Sequence, residues 1–336
     1  MTVRVGVIGV GALGHHHARI LRGIDGATMV GFFEANRERA AKVAGELNLK
    51  AFGSEAELLE AVDAVTIVVP TPAHYAVASQ ALEAGKHVLV EKPIATTLEE
   101  ADGMLAIARR KGVLIQTGHV ERFNRAIRGA LQFVDRPQFI ESDRLAPFNS
   151  RGSDVAVVLD LMIHDIDLVH TLVGGSVTSV SAVGVGVLTP SVDIANARLT
   201  FASGAVANIT ASRISRDRMR KIRVFQPTGY LSLDLAAGNG EFYHLRKDLD
   251  IAALVAAAQG AVALEQFVAR EPVEAPEGDA LTLELQSFVD AIRGKAPVPV
   301  TGEDGREALA VALQIVGEIE RGKPKMPHPM AVPSRA

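Results

Sequence analysis

Cysteine is absent from the 336 residues, which excludes disulfides, a thiolate nucleophile and cysteine-ligated zinc. An excess of charge is lacking too: 35 basic residues against 39 acidic ones leave a net charge of −4, so nothing in the balance points to nucleic acid. Long apolar runs are also missing. The Ala/Val-rich stretch 251–264 contains Gln259 and Gly260 and is too short for a membrane span, so it reads as a packed helix. The chain opens Val3-Arg4-Val5-Gly6-Val7-Ile8 and enters a glycine turn at once, leaving no room for a secretion signal, and a cytoplasmic protein is expected. A hydrophobic fraction of 48% and a charged fraction of 22% suit a soluble globular chain, long enough for two domains or one large one.

What is present is a clear alternation. Over the first 120 residues short strands at 3–9, 28–33, 64–69, 87–90 and 114–117 alternate with helices at 15–23, 37–47, 75–83 and 97–111. Gly85 stops the third helix, and the capping box Thr97-Leu98-Glu99-Glu100 opens the fourth. This is the pattern of an α/β, doubly wound parallel sheet. After about Phe123 longer strands are expected at 137–146, 177–188, 193–213 and 219–235, with Gly238-Asn239-Gly240 as a turn and a helix over 156–173. Helices at 251–269, 281–293 and 305–321 complete an α+β domain built on an antiparallel or mixed sheet. The expected division is therefore 1–122 and 123–322, with the helix 305–321 packing back on the first domain. The proline-rich tail 323–336 is loosely held.

Gly9, Gly11 and Gly14, with Val10, Ala12 and Leu13 between them, form G-x-G-x-x-G at a strand-to-helix turn. The first glycine permits the tight turn, the second a close approach of backbone to a pyrophosphate, and the third strand–helix packing. Glu34 lies 20 residues beyond Gly14 at the end of the second strand, where a carboxylate accepts from ribose hydroxyls and repels a 2′-phosphate. NAD is thus expected over NADP; Arg37 and Arg39 read as a solvated helix face. Folds that bind FAD or S-adenosylmethionine share these early features. His15, His16 and His17 fall in the first helical turn, where neighbouring side chains diverge by about 100°, so they cannot converge on one metal.

Two further stretches carry chemistry. In HVLVEKPIA, Glu91-Lys92-Pro93 follows a buried strand, and a lysine at such a strand's carboxyl end points toward the ligand crevice. In VVLDLMIHDIDLVHTLVG, Asp160, His164 and Asp167 stand at i, i+4 and i+7 of one helix, a polar stripe whose natural partners are water or substrate hydroxyls. Asp165 and His170 point elsewhere and read as structural. Two carboxylates and one imidazole lack the remaining convergent ligands of a metal site, so none is assigned.

On GVIGVGALGHHHARIL, TPAHYAVASQALEAGKHVLVEKPIA and the Asp160/His164 spacing, the sequence resembles the glucose–fructose oxidoreductase/inositol dehydrogenase/MocA (Gfo/Idh/MocA) family along nearly its whole length. The resemblance implies a Rossmann domain followed by an open, mainly antiparallel sheet used for oligomer contacts, hence a homodimer or homotetramer. It implies that His164 is the base for a sugar hydroxyl, that Lys92 holds that hydroxyl, and that Asp160 orients the group. Thr71, Pro72, His74 and Glu91 would border the nicotinamide ribose. GHVERFNRA, DRLAPFNSRGSDVAVVLDLMIHDID and ASRISRDRMRKIRVFQPTGYLSLDL are similar to a branch acting with NAD on the 3-hydroxyl of UDP-N-acetylglucosamine. That branch implies a partner aminotransferase and a 3-amino sugar for lipid A. Arg144, Arg151 and Arg213, with Arg216 and Arg218, are expected near a diphosphate, while Arg122 and Asn124 at the domain junction would meet cofactor or substrate. A dehydrogenase of a free polyol, a ketone reductase and an NAD-binding subunit without catalysis remain open on these residues.

Overall fold

The computed structural model describes residues 2–149, 155–246 and 267–322. Its first sheet is parallel: β1 Val3–Ile8, β2 Ala27–Phe33, β3 Ala64–Ile67, β4 His87–Glu91 and β5 Ile115–Gly118, in the order β2-β1-β3-β4-β5. Every residue of the Ala-Val-Thr-Ile strand β3 is buried, as a strand covered on both faces requires. The covering helices are α1 Ala12–Leu21, α2 Arg37–Leu47, α3 Glu55–Ala61, α4 His74–Glu83 and α5 Leu98–Lys111. The capping box at Thr97 and Glu100 forms in both directions, and α5 ends at Gly112 with φ 66°. Sequence reading passed over α3, although Ser54 caps it by accepting from the Glu57 N–H. Because strand order reverses between β1 and β3, a crevice opens outside their carboxyl ends.

The second sheet has eight strands: β6 Phe139–Leu145, β7 Val177–Val185, β8 Ile194–Phe201, β9 Val206–Ser212, β10 Met219–Gln226, β11 Gly229–Asp234, β12 Asn239–Leu245 and β13 Val268–Val273. They run in the order β13-β12-β11-β10-β6-β9-β8-β7, with β6 and β9 parallel and the other neighbours antiparallel. Two expected strands are each two strands. The span 193–213 folds back at Gly204, where φ is 86°, and 219–235 folds back before Gly229, where φ is 153°. Apolar alternation continues through both arms and hides turns that glycine's backbone freedom allows. Residues 268–269, read as the end of a helix, belong to β13; 251–266 lie outside the described residues.

A short helix, α6 Arg125–Ala130, leads from the first sheet into the second. The expected single helix 156–173 is a π-helical turn, Val158–Met162, followed by α7 Ile163–Val173. The wider turn separates Asp160 from the regular helix that carries His164 and Asp167, and Asp167 is taken by Arg122 rather than joining Asp160 in one stripe. Ile166, Val169 and Leu172 of α7 join Ile140, Ala207, Ile209 and Val224 of the sheet in one apolar core. The last two helices are α8 Ala280–Ile292 and α9 Gly302–Gly322. Leu285, Phe288 and Val289 of α8 sit in the core beneath β1; α9 gives Leu309 to the core beside β3 and β4, and Val311 and Ile315 to the core of the second sheet. Among the described residues no helix is long and apolar enough to cross a membrane.

Two buried ion pairs fix the rotation of α7. Asp165 accepts from Arg144 Nε at 2.6 Å, Arg144 Nη2 at 3.2 Å and Ser142 Oγ at 3.0 Å, while Arg144 Nη1 donates to Glu121 at 2.8 Å. Asp167 accepts from Arg122 Nε at 2.8 Å and Nη2 at 2.6 Å. Burial opposes the charge on Arg144, yet Asp165 and Glu121 hold its pKa above the ordinary arginine value. Substituting Arg144→Met leaves two buried carboxylates without their cation, and a loss of about 3–5 kcal/mol in unfolding free energy is expected by chemical denaturation. A loss below about 1 kcal/mol, the scale of a surface pair, would mean that this pair does not hold the helix.

Candidate active site

A cavity of about 540 Å³ occupies the crevice, lined by Gly9, Gly11, Ala12, Leu13, Glu34, Thr71, His74, Glu91 and Lys92 among others. The glycines are there for space. Gly9 has φ 87°, and a Cβ on Gly14 would lie 1.9 Å from the Gly9 oxygen, so Gly14 sits beneath the cavity and closes strand onto helix. At Gly11 the nearest atom to such a Cβ is Arg39 Nη1 at 3.9 Å, which leaves the backbone open to a ligand. Helix α1 has no side-chain cap and no acid in its first turn, so its N-terminus is fit for an anion. Glu34 is fixed by accepting from the N–H groups of Val10 at 3.0 Å and Asn36 at 2.9 Å, with lone pairs left for a ribose diol. Arg39 stands 3.7 Å from it. These residues fit a dinucleotide with unphosphorylated ribose.

The histidines after the glycine turn diverge. His15 faces Glu46 at 3.3 Å, His16 is exposed, and His17 is wholly buried with Nε2 3.2 Å from the Glu91 carboxylate. His74 is a brace. Its ring nitrogens lie 2.8 Å from the Pro93 oxygen and 2.9 Å from the Val69 oxygen, tying the ends of β3 and β4 together. Burial lowers its pKa although both carbonyls raise it.

A second cavity of about 740 Å³ adjoins the first through Pro70, Thr71 and Lys92 and is also lined by Pro72, Asp160, Arg213, Arg218 and Arg220. Lys92 Nζ donates to the Asp160 carbonyl at 2.6 Å and to its carboxylate at 3.4 Å, joining the end of β4 to the π-helical turn. His164 is half-buried, and its enclosed Nδ1 has no hydrogen-bond partner among the described residues. Burial first, then the charges of Lys92 and Arg144, hold its pKa well below the ordinary histidine value, so the ring is neutral at pH 7 and free to accept a proton.

The structure joins Lys92 to Asp160 and sets His164 within the field of that lysine, while His164 and several other expected residues line neither cavity. Arg144 is buried against Asp165 and Glu121, and lines neither cavity. Arg122 is committed to Asp167, to the Pro299 carbonyl and to Asp304, and lines neither cavity. Asn124 caps α6 through the Ala126 N–H, donates to Glu121 and the Leu235 carbonyl, and lines neither cavity. Arg213 lines the second cavity but is buried, donating to the carbonyls of Val155 and Val192 beside Asp193. Arg216 is exposed outside both cavities, and Arg151 lies outside the described residues. Sequence reasoning missed Arg220, and also His119, fully buried and edge-on to His164 with ring centroids 6.4 Å apart. It also missed Glu284, a buried carboxyl whose pKa is pushed well up by burial and then by Glu91 and Asp167. Their roles are not local: register sets Arg220 at the cavity, the end of β5 carries His119 to His164, and α8 returns Glu284.

Comparison with known proteins gives the arrangement relatives. Residues 3–119 match the model of an oxidoreductase family with an NAD-binding Rossmann fold, and residues 132–232 match the GFO/IDH/MocA C-terminal domain. The chain is 40% identical over 319 residues to UDP-N-acetylglucosamine 3-dehydrogenase of Acidithiobacillus ferrooxidans, covering 95% of this chain and 97% of that one. A solved structure of the Acidithiobacillus enzyme superposes with a TM-score of 0.86 at 39% identity, over 96% of this chain and 99% of that one. The scyllo-inositol 2-dehydrogenase (NAD+) of Bacillus subtilis is 29% identical over 344 residues, covering 96% of this chain and 95% of that one.

Two measurements test this site. Glu34→Ala should reduce the preference for NAD over NADP by roughly tenfold in binding titrations, since the carboxylate both accepts from the ribose and repels phosphate. Unchanged selectivity would mean that another group reads the ribose. With His164 as the base, neutral and with its pKa held well below 6.5, kcat/KM should stay level as pH falls through 6.5 and drop only in more acid solution. An inflection at 6.5 or above would remove His164 from the role of base.

Proposed function

The chain belongs to the Gfo/Idh/MocA oxidoreductase family, and we propose that it oxidises the 3-hydroxyl of UDP-N-acetylglucosamine to a ketone with NAD. The observation that carries this reading is the second cavity. At about 740 Å³ it extends from Lys92 and Asp160 to Arg213, Arg218 and Arg220, so a sugar at the lysine has both room and positive charge beyond it. A free polyol needs neither.

Bound NAD supplies the hydride acceptor. The remaining work falls to side chains. Lys92 Nζ, held at Asp160, donates to the substrate hydroxyl oxygen and stabilises it as its proton leaves. His164, neutral in its cationic surroundings, takes that proton. Asp160 keeps the ammonium aimed, and Thr71 and Pro72 wall the passage between the cavities. The ketone is the class of product an aminotransferase consumes, on the way to a 3-amino sugar for lipid A; the reading carries with it a cytoplasmic homodimer or homotetramer.

The test is NADH absorbance after mixing the protein with NAD and UDP-N-acetylglucosamine, with glutamate and the partner aminotransferase removing the ketone. NADH with a 3-amino sugar nucleotide is the expected result. His164→Asn should lower the rate by about a hundredfold or more while NAD affinity stays at the wild-type value. Turnover of free inositol or a hexose, with none of the nucleotide sugar, would overturn the reading.

A further inference from the structure

The oxidation step leaves the polarity of the second cavity unexplained. Among the described residues its lining carries Lys92, Arg213, Arg218 and Arg220 against one carboxylate, Asp160. Lys92 is held by that carboxylate, and Arg213 is committed to carbonyls beside Asp193. The other two stand differently. Arg218 is exposed and has no hydrogen-bond or ion-pair partner among the described residues. The Arg220 side chain is 48% exposed and reaches Glu121 Oε1 at 3.4 Å, an oxygen that Arg144 already holds at 2.8 Å.

Strand register explains this sharing. In the β10–β6 pairing Arg220 lies directly opposite Arg144, on the same face of the sheet. Arg144 turns inward to α7 and takes Asp165 as well as Glu121, so one shared carboxylate is all that Arg220 receives. Arg218, just before β10 begins at Met219, lines the same cavity as Arg220. The cavity wall therefore presents two guanidinium groups with less than one counter-charge, close to a third cation at Lys92. Such an arrangement is favourable when the ligand itself is an anion.

We propose that Arg218 and Arg220 hold the diphosphate of the sugar nucleotide. The assignment rests on the function proposed above and names the side chains that make the site selective for it. In a sugar nucleotide the diphosphate leaves the anomeric carbon, two ring bonds from the carbon whose hydroxyl sits at Lys92, so one cavity must hold both ends. The guanidinium fork matches phosphate oxygens in pairs, which a lysine cannot do.

A consequence reaches the base. The cations that disfavour a proton on His164 are Lys92, Arg144 and Arg220, with the edge-on ring of His119 acting in the same direction. Asp160, Asp165 and Asp167 lie in the same segment; the first is engaged with Lys92, and the other two with Arg144 and Arg122. A diphosphate at Arg220 offsets one of those cations. The nucleotide half of the substrate thereby eases proton uptake at its reacting half, an advantage that a free sugar does not bring.

The test is calorimetric binding of UDP and of uridine to the NAD-loaded enzyme, in the wild type and in Arg218→Gln, Arg220→Gln and the double variant. Each single change should weaken UDP by about tenfold, and the pair by about a hundredfold, the scale of a lost hydrogen bond to a charged group. Uridine and NAD should bind as before, and Arg220→Lys should recover part of the loss. UDP affinity unchanged in both single variants would overturn the assignment and leave the proposed substrate standing. Equal weakening of UDP and uridine would overturn it too, because the loss would not be specific to phosphate. A wild-type enzyme that binds neither UDP nor UDP-N-acetylglucosamine would overturn the substrate, and the assignment with it.

Discussion

A carboxylate leaves water only in the company of a cation, and the helix that carries His164 buries two of them, Asp165 and Asp167. Their partners come from separate parts of the chain, Arg144 from β6 and Arg122 from the turn after β5. Two such constraints on one helix leave it no freedom to rotate. Either acid turned toward the cavity would take from a buried arginine its nearest carboxylate, leaving Arg144 with Glu121 and Arg122 with Asp304, a costly loss inside the protein. The pairs therefore do more than add stability: they fix where α7 holds His164, with Asp160 on the preceding π-helical turn beside Lys92. The Lys92–Asp160 contact is then the point where the first sheet meets the second, and where the two cavities join.

The same charges set the chemistry. Burial first, then the charges of Lys92, Arg144 and Arg220, disfavour a proton on His164 and keep the ring neutral, the form its proposed role requires. Arg144 thus serves twice, as the anchor of α7 and as part of the field on its histidine. A substitution there changes position and proton affinity together, which is why its stability and activity effects are expected to be inseparable. In the proposed reaction Lys92 has the complementary part: it disfavours the proton on His164 at rest and would stabilise the oxygen from which His164 takes one.

What the sequence revealed follows from how local each signal is. The glycine turn, Glu34 at the end of the second strand, the capping box at Thr97 and the lysine after β4 are decided within a few residues, and all were legible. Asp160 and His164 were legible as a spacing, but the π-helical turn between them was not, because no residue pattern distinguishes it from an ordinary helical turn. The arginines were the least readable. Arg144 looked like a substrate ligand because its partner Asp165 is 21 residues away, across a sheet and a helix, while Arg220 passed unnoticed although register sets it opposite Arg144. A guanidinium's role depends on which carboxylate reaches it first, and that is decided by topology.

Presenting Arg220 at a fixed place requires a stiff strand, and the opposite face of the sheet supplies it. There Phe139, Phe225, Tyr230 and Tyr243 are direct cross-strand partners on β6, β10, β11 and β12, and their rings stack in sequence at 5.7, 4.8 and 5.5 Å. Alternation along β6 turns Phe139 outward and Ile140, Ser142 and Arg144 inward, so the aromatic row and the arginines occupy opposite faces of the same strands. Aromatic cross-strand pairs favour one register, and a slip of one residue would turn Arg144 away from Asp165 and Arg220 away from the cavity. The polar geometry of the substrate cavity is thus secured partly by an apolar stack that never touches it.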